Sequence, residues 1–278
     1  MKSMEKEVLP VTAANSNMPN YELAAAQFAW EDAQRHFTWF QSGKVNMAYE
    51  AVDRHVEEGR GADQALLYSD SVRQERYTFE DLKELSNRFG NVLRQYGISK
   101  GDRVFLFMPR QPELYFSLLG ILKVGAVAGP LFEAFMETAV TDRLEDSGAV
   151  LLVTTPELLK RVKREALPAL RHIIVVGGEN REEEGLLSYE AEMAAASPQL
   201  ELEWLSLEDG LIMHYTSGST GKPKGVYHAQ RAMIQHYYTG RVVLDLRPGD
   251  VYWCTADPGW VTGTSYGIFA PWLNGWPT

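Results

Sequence analysis

Residues Tyr215 to Val226 read YTSGSTGKPKGV, and the rest of the 278-residue chain is best read outward from them. Between Thr216 and Gly225 lie four hydroxyls (Thr216, Ser217, Ser219, Thr220), three glycines (Gly218, Gly221, Gly225) and two lysines (Lys222, Lys224). The apolar run Leu211-Ile212-Met213 precedes them, and a helix-like pattern from about His228 to Val243 follows. The spacing therefore predicts a strand, a glycine-rich turn and a helix. Such a loop suits a polyphosphate, because glycines let backbone N–H groups approach oxygen, hydroxyls donate further hydrogen bonds and lysines neutralise charge. A flexible Gly/Ser linker has a similar composition, but linkers do not usually join a buried strand to a helix.

Two phosphate loops are excluded by spacing. A Walker A loop needs Gly, four residues, then Gly-Lys-Ser/Thr, and no glycine here is placed for that. The dinucleotide fingerprint needs Gly-x-Gly, whereas Thr220 stands two places after Gly218.

Upstream, short apolar runs alternate with helical patterns. Ala65–Tyr68 and Arg76–Phe79 read as a hairpin. Thr78 with Asp81 resembles a capping box, and Leu82, Leu85, Phe89, Val92, Leu93 and Tyr96 follow at helical spacing until Gly97. Strands are expected at 103–108, 126–129, 150–154 and 172–176, with helices at 112–123, 137–146 and 156–164. This alternation predicts an α/β fold with a mostly parallel, doubly wound sheet covered by helices on both faces. Residues 178–210, with Glu182, Glu183 and Glu184 in a row, read as a solvated loop. In an open sheet of this kind ligands collect at the carboxyl ends of strands, where Thr216–Gly225 falls. Residues 1–64 read as an N-terminal extension anchored by Phe28, Trp30, Phe37, Trp39 and Phe40, and residues 65–278 as the main domain.

Downstream, Val251–Cys254 reads as a strand and Asp257-Pro258-Gly259 as a turn. An Asx turn and a chemical role for Asp257 stand as equal alternatives. His228 and His236 fall on the expected helix and read as packing or capping groups.

Composition narrows the class. A net charge of −10 without a Lys/Arg-rich block argues against nucleic acid, and a hydrophobic fraction of 45% allows a sizeable core. The single cysteine, Cys254, fits a reducing compartment. Lys2, Glu5, Lys6 and Glu7 have no apolar run behind them, and Leu118–Phe132 is too short and interrupted to span a bilayer. A cytoplasmic protein that handles small molecules, without nucleic acid or membrane, is expected.

The run TSGSTGKPKG resembles the signature loop of the AMP-forming acyl-CoA synthetases, members of the adenylate-forming superfamily. The stretch YWCTADPGWVTG, Tyr252 to Gly263, resembles the acetate-activating branch of that family, with acetyl-CoA synthetase as its type. The resemblance covers about Tyr21 to Gly275. It implies an incomplete N-terminal adenylation domain, ATP, Mg²⁺ and CoA as reaction partners, and acetate or another short carboxylate as substrate. It implies that Thr216, Ser217, Gly218, Ser219, Thr220, Gly221, Lys222, Lys224 and Gly225 bind nucleotide, with Lys224 as the catalytic charge. Trp260, Val261 and Thr262 resemble residues that line the small acyl pocket. No metal ligand is implied within the chain. The family's adenine-contacting Gly-Glu-Pro, its Thr-Glu motif, its ribose-binding aspartate and its C-terminal lid with a catalytic lysine have no match here. The resemblance therefore implies a truncated or frame-shifted product that makes little acetyl-CoA alone. A medium-chain acyl-CoA synthetase is the alternative within the class, and a non-catalytic nucleotide-binding module needing a partner chain is the alternative outside it.

Overall fold

The structure, a computed structural model, describes residues 16–181, 183, 185–216 and 221–278. Among the described residues nine strands form two sheets. Strands β1 (Gln64–Ser69) and β2 (Gln74–Thr78) make the expected hairpin. The large sheet takes β3 (Arg103–Phe107), β4 (Val127–Pro130), β5 (Leu151–Thr154), β6 (His172–Val175), β7 (Leu186–Ser188), β8 (Gly210–Thr216) and β9 (Lys224–Ala229) in the order β7-β6-β5-β3-β4-β8-β9. All neighbours are parallel except β8 and β9, so the predicted α/β class and doubly wound, mostly parallel sheet are present.

Strand alternation builds two cores, one on each face. Val104, Leu106, Leu151, Val153 and Ile174 point into the larger, with helices α4 (Phe79–Gln95) and α5 (Pro112–Lys123). Phe105, Phe107, Leu152, Ile173 and Val175 point into the smaller, with Val140 and Leu144 of α6 (Glu137–Ser147).

Local sequence explains α4. Thr78 and Asp81 form the capping box at its start. At its end Gly97 takes φ 70°, Ile98 N–H reaches the Leu93 carbonyl and Gly97 N–H the Arg94 carbonyl, both at 3.0 Å, which is a Schellman motif. Helices α4 and α5 meet closely at Gly120, where a Cβ would lie 2.8 Å from the Ser86 carbonyl and 3.0 Å from the Gly90 nitrogen.

Of the N-terminal helices α1 (Tyr21–Gln27), α2 (Trp30–Gln34) and α3 (Trp39–Ser42), α2 and the residues flanking it lean on α9 (Ala232–Val242). Phe37 packs edge-on against Tyr237 at 5.3 Å, and Phe28 lies 4.6 Å from Tyr238. Residues 45–52 go deeper, since Val45, Met47, Ala48, Ala51 and Val52 belong to the larger core. The Asn46 amide donates to the carbonyls of Leu122 and Glu203, both at 3.0 Å. Gln230 accepts from Met47 N–H at 2.9 Å and donates to the Gly210 carbonyl at 3.1 Å. Asp53, in a π-helical turn at Tyr49–Asp53, pairs at 2.8 Å with the fully enclosed Lys123.

Three expectations are corrected. The quoted stretch does not lead from strand to helix. It turns a hairpin, because β9 pairs antiparallel with β8, and α9 begins at Ala232 with His228 left on the strand. Residues 178–210 hold β7 and a helix α8 (Tyr189–Ala195), capped by the Ser188 side chain. The helix expected over 156–164 shortens to α7 (Pro156–Leu159) with a 3₁₀ turn at Arg164–Ala166.

Candidate functional site

Because β3, β4 and β8 run parallel, their carboxyl ends share one edge of the sheet, and three segments gather there. The loop after β3 carries Arg110, and the loop after β4 carries Phe132 and Phe135. Beyond β8, the register Thr216↔Lys224 and Tyr215↔Gly225 closes the hairpin of the quoted stretch.

Of the nucleotide residues named from sequence, Ser217, Gly218, Ser219 and Thr220 lie outside the described residues. Thr216 is the last residue of β8, while Lys224 and Gly225 are the first two of β9, and all three are exposed. Gly221 takes φ 85°, a left-handed turn conformation that favours glycine. Gly225 is close-fitted: a Cβ there would lie 3.3 Å from both Met213 Sδ and the Tyr215 ring. Lys222 and Lys224 are exposed and make no ion pair or hydrogen bond with any described residue. On one side Lys222 borders a cavity of about 340 Å³ shared with Asp142, Glu145 and Asp146 of α6. The Tyr215 hydroxyl donates to Asp146 at 2.6 Å, and burial followed by that bond pushes the phenol well up. Those carboxylates favour an anion on the side of the loop away from α6.

The second motif is not a strand. Residues 251–255 belong to no helix or strand, contrary to the expected strand at 251–254. Arg110 organises them, donating to the carbonyls of Cys254 (2.7 Å), Thr255 (3.2 Å) and Ala256 (2.6 Å). Asp257 Oδ1 accepts from Gly259 N–H at 2.6 Å, which is an Asx turn, and burial raises its carboxyl above the usual value. Gly259 sits so close to the backbone of Leu131 and Phe132 that a Cβ would overlap it. The turn is thus seated on the end of β4, and the Trp260 ring lies 6.1 Å from Phe132. Trp260 caps helix α10 (Val261–Thr264), and Trp260, Val261 and Thr262 are exposed on its first turn rather than walled into a cavity.

One contact fastens the two motifs together. His214, on β8 two residues before Thr216, is buried, and its Nε2 lies 3.1 Å from the Thr264 hydroxyl, two residues after Thr262. Burial, with His228 nearby, lowers the imidazole to about 4, so the bond is made by a neutral ring. Sequence reasoning weighed His228 and His236 and missed His214 and Arg110. A histidine inside the apolar run LIMHYT was the available signal for the first; nothing local marked the second.

A doubly wound sheet with a hydroxyl- and lysine-bearing hairpin at its carboxyl edge is the frame of an adenylate-forming enzyme, and the AMP-binding enzyme family matches residues 52–277. The chain belongs to that family. It is 57% identical to the acetyl-coenzyme A synthetase of Bacillus subtilis (strain 168) over 98% of its length and 48% of that protein. It is 35% identical to the acetyl-coenzyme A synthetase of Halorhodospira halophila over 88% of its length and 41% of that protein. Among solved structures, a Brucella canis acyl-CoA synthetase superposes with a TM-score of 0.85 at 34% identity, over 93% of this chain and 47% of that one. The anthranilate CoA ligase AuaEII, solved with anthranoyl-AMP, gives 0.76 at 28% identity, over 84% of this chain and 43% of that one. The chain therefore spans about half the length of the curated relatives it matches. Among the described residues no helix is long and apolar enough to cross a membrane.

Proposed function

We propose that the chain carries the nucleotide loop and the acyl-facing turn of an ATP-dependent ligase that activates acetate or another short carboxylate. A carboxylate oxygen of the acid attacks the α-phosphorus of ATP, giving acyl-AMP as pyrophosphate leaves. The CoA thiol then attacks the acyl carbon, and AMP leaves. Neither displacement needs a protein nucleophile; both need charge neutralised and groups held in line.

In this reading Lys222 and Lys224 neutralise the β- and γ-phosphates, and Lys224 acts on the charge that develops at transfer. Hydroxyls and N–H groups from Thr216 to Gly225 supply further donors. Trp260 and Val261 bound a short acyl group, and the Thr262 hydroxyl orients its carboxylate. ATP fits the donor set, since both ammonium groups are free of carboxylate partners among the described residues. Mg²⁺ enters with the nucleotide and supplies further neutralisation, and no protein ligand is assigned to it. The bound anthranoyl-AMP of the AuaEII ligase supports an acyl-adenylate intermediate. Residues 1–64 are read as an N-terminal extension, of which 45–52 contribute to the larger core, and residues 65–278 as a partial AMP-binding domain, in a cytoplasmic setting.

The observation that carries the reading is the pair Lys222 and Lys224 at the start of β9, without ion-pair partners among the described residues, in a hairpin beside a strand whose own end seats Trp260. Calorimetric titration with ATP and Mg²⁺ tests it. Lys224→Ala is expected to weaken binding about tenfold or more, the scale of one hydrogen bond to a charged group. Equal heats for the parent and for a Lys222→Ala/Lys224→Ala variant would sink it.

A further inference from the structure

Arg143, on α6, is a buried cation without a counter-charge. It is 9% exposed, makes no ion pair with any described residue, and its Nε is enclosed without a hydrogen-bond partner. Nη1 donates to the Ala139 carbonyl at 2.7 Å, one turn back on the same helix. What the guanidinium meets instead is aromatic. Its carbon lies 4.1 Å from the centre of the Phe135 ring and 5.8 Å from that of Tyr215. A cation beside ring faces is attracted by their quadrupoles, most strongly where water is excluded.

These contacts extend in both directions. On one side Tyr215 is the residue before Thr216; its ring also lies 6.4 Å from Phe105 of β3, and its hydroxyl is tied to Asp146, three residues after Arg143 on α6. On the other side Phe135 N–H closes a turn on the Phe132 carbonyl at 3.0 Å, and the two rings stand perpendicular, 5.7 Å apart. Phe132 is in turn the ring beside which Trp260 rests. A continuous stack, Tyr215, Arg143, Phe135, Phe132 and Trp260, thus leads from the root of the nucleotide loop to the acyl-facing turn. It runs on the smaller-core face of β8, and strand alternation leaves the His214–Thr264 bond on the opposite face.

We propose that Arg143 is a positioning residue: it touches no substrate atom, but holds Tyr215 to Phe135 and so fixes the distance between the hairpin carrying Lys222 and Lys224 and the turn carrying Trp260. The inference rests on the reading of those two elements as nucleotide and acyl sites. An apolar side chain of similar length would fill the same space without the desolvation cost of a buried charge, so the guanidinium contributes geometry rather than stability. A ligand that joins the two sites covalently, as an acyl-adenylate does, needs that distance right. ATP alone, held at the hairpin, does not.

Arg143→Met and Arg143→Lys are compared with the parent by calorimetry, with Mg²⁺-ATP and acetylsulfamoyl adenosine, a stable mimic of acetyl-adenylate, as probes. In Arg143→Met the mimic should lose about tenfold in affinity, the scale of a desolvated cation–ring contact, while ATP stays within about twofold. Arg143→Lys keeps a cation beside the rings and should recover most of the loss. The urea midpoint of Arg143→Met should equal or exceed the parent's, which a merely structural role does not allow. Unchanged affinity for the mimic, equal loss for both probes, a lysine variant no better than methionine, or a lowered midpoint overturns the proposal. Amide exchange without ligand is the second arm: Arg143→Met should speed exchange in segments 222–227 and 257–262 together and leave β3 and β5 as they are. No change in either segment, or a rise throughout the sheet, also overturns it. Should the parent bind neither probe, the nucleotide reading fails and exchange alone decides whether Arg143 couples the two elements.

Discussion

Replacing Asp53 by alanine strips a buried cation of its counter-charge. Lys123 Nζ is fully enclosed, 2.8 Å from Asp53 Oδ2, 2.8 Å from Asn87 Oδ1 and 3.4 Å from the Lys83 carbonyl. In Asp53→Ala the ammonium keeps two neutral acceptors in a fully enclosed site. Breaking a buried pair from one side costs about 3–5 kcal/mol, a large share of the ~5–15 kcal/mol by which domains are stable. Burial already pushes Lys123 down and Asp53 up. Without Asp53 the amine is driven further toward its neutral form, so near neutral pH the unfolded chain binds more protons than the folded one. Stability of the variant must then rise with pH, and its deficit must shrink toward the ordinary lysine value. Replacing the pair by apolar groups, Asp53→Leu with Lys123→Met, should regain most of the loss. Urea unfolding followed by near-ultraviolet circular dichroism at about pH 7 and about pH 9.5 measures both effects. A deficit below about 1 kcal/mol, or one that grows with pH, refutes the reasoning.

Thr264→Val leaves His214 Nε2 buried without its partner and should cost about 1–3 kcal/mol, read by denaturant midpoint; an unchanged midpoint means the two motifs are not coupled through this bond. Gly120→Val forces a branched side chain into the Ser86 and Gly90 backbone at the α4–α5 crossing and should destabilise by about 1–3 kcal/mol or more, with thermal unfolding as the check. His55 and His236 are buried and lowered to about 3 in the folded chain, while the unfolded chain titrates near the ordinary imidazole value of about 6.5. Stability should therefore fall as pH drops below about 6.5, by up to about 1.4 kcal/mol per pH unit for each ring. A flat profile between about pH 7 and about pH 5 would contradict the assignment.

Elements written in local code were legible from the sequence. Helix α4 declares its start in Thr78 and Asp81 and its end in Gly97, and the inner strands are short apolar runs. Strand β9 was not legible, because KGVYHA has no apolar period and is mostly exposed; it is a strand by virtue of hydrogen bonds to β8. Val251–Cys254 misled in the opposite sense, having strand-like residues but no ladder to join. Of the candidate site, the loop and the Trp260 turn were marked by composition. Their fasteners were not, since Arg110 acts on carbonyls 144 to 146 positions away and His214 on a hydroxyl 50 positions away.

The staples made by Asn46 and Gln230 determine how far the chain can be trimmed. Shortening it as far as residue 44 removes outer helices and aromatic contacts and leaves the root of β8 untouched. Shortening it to residue 64 also takes away Met47 N–H and the Asn46 amide, so the Gln230 oxygen and the carbonyls of Leu122 and Glu203 would face an emptied interior. The first dozen or so residues after position 44 thus serve as a keel for the hairpin that carries the lysines.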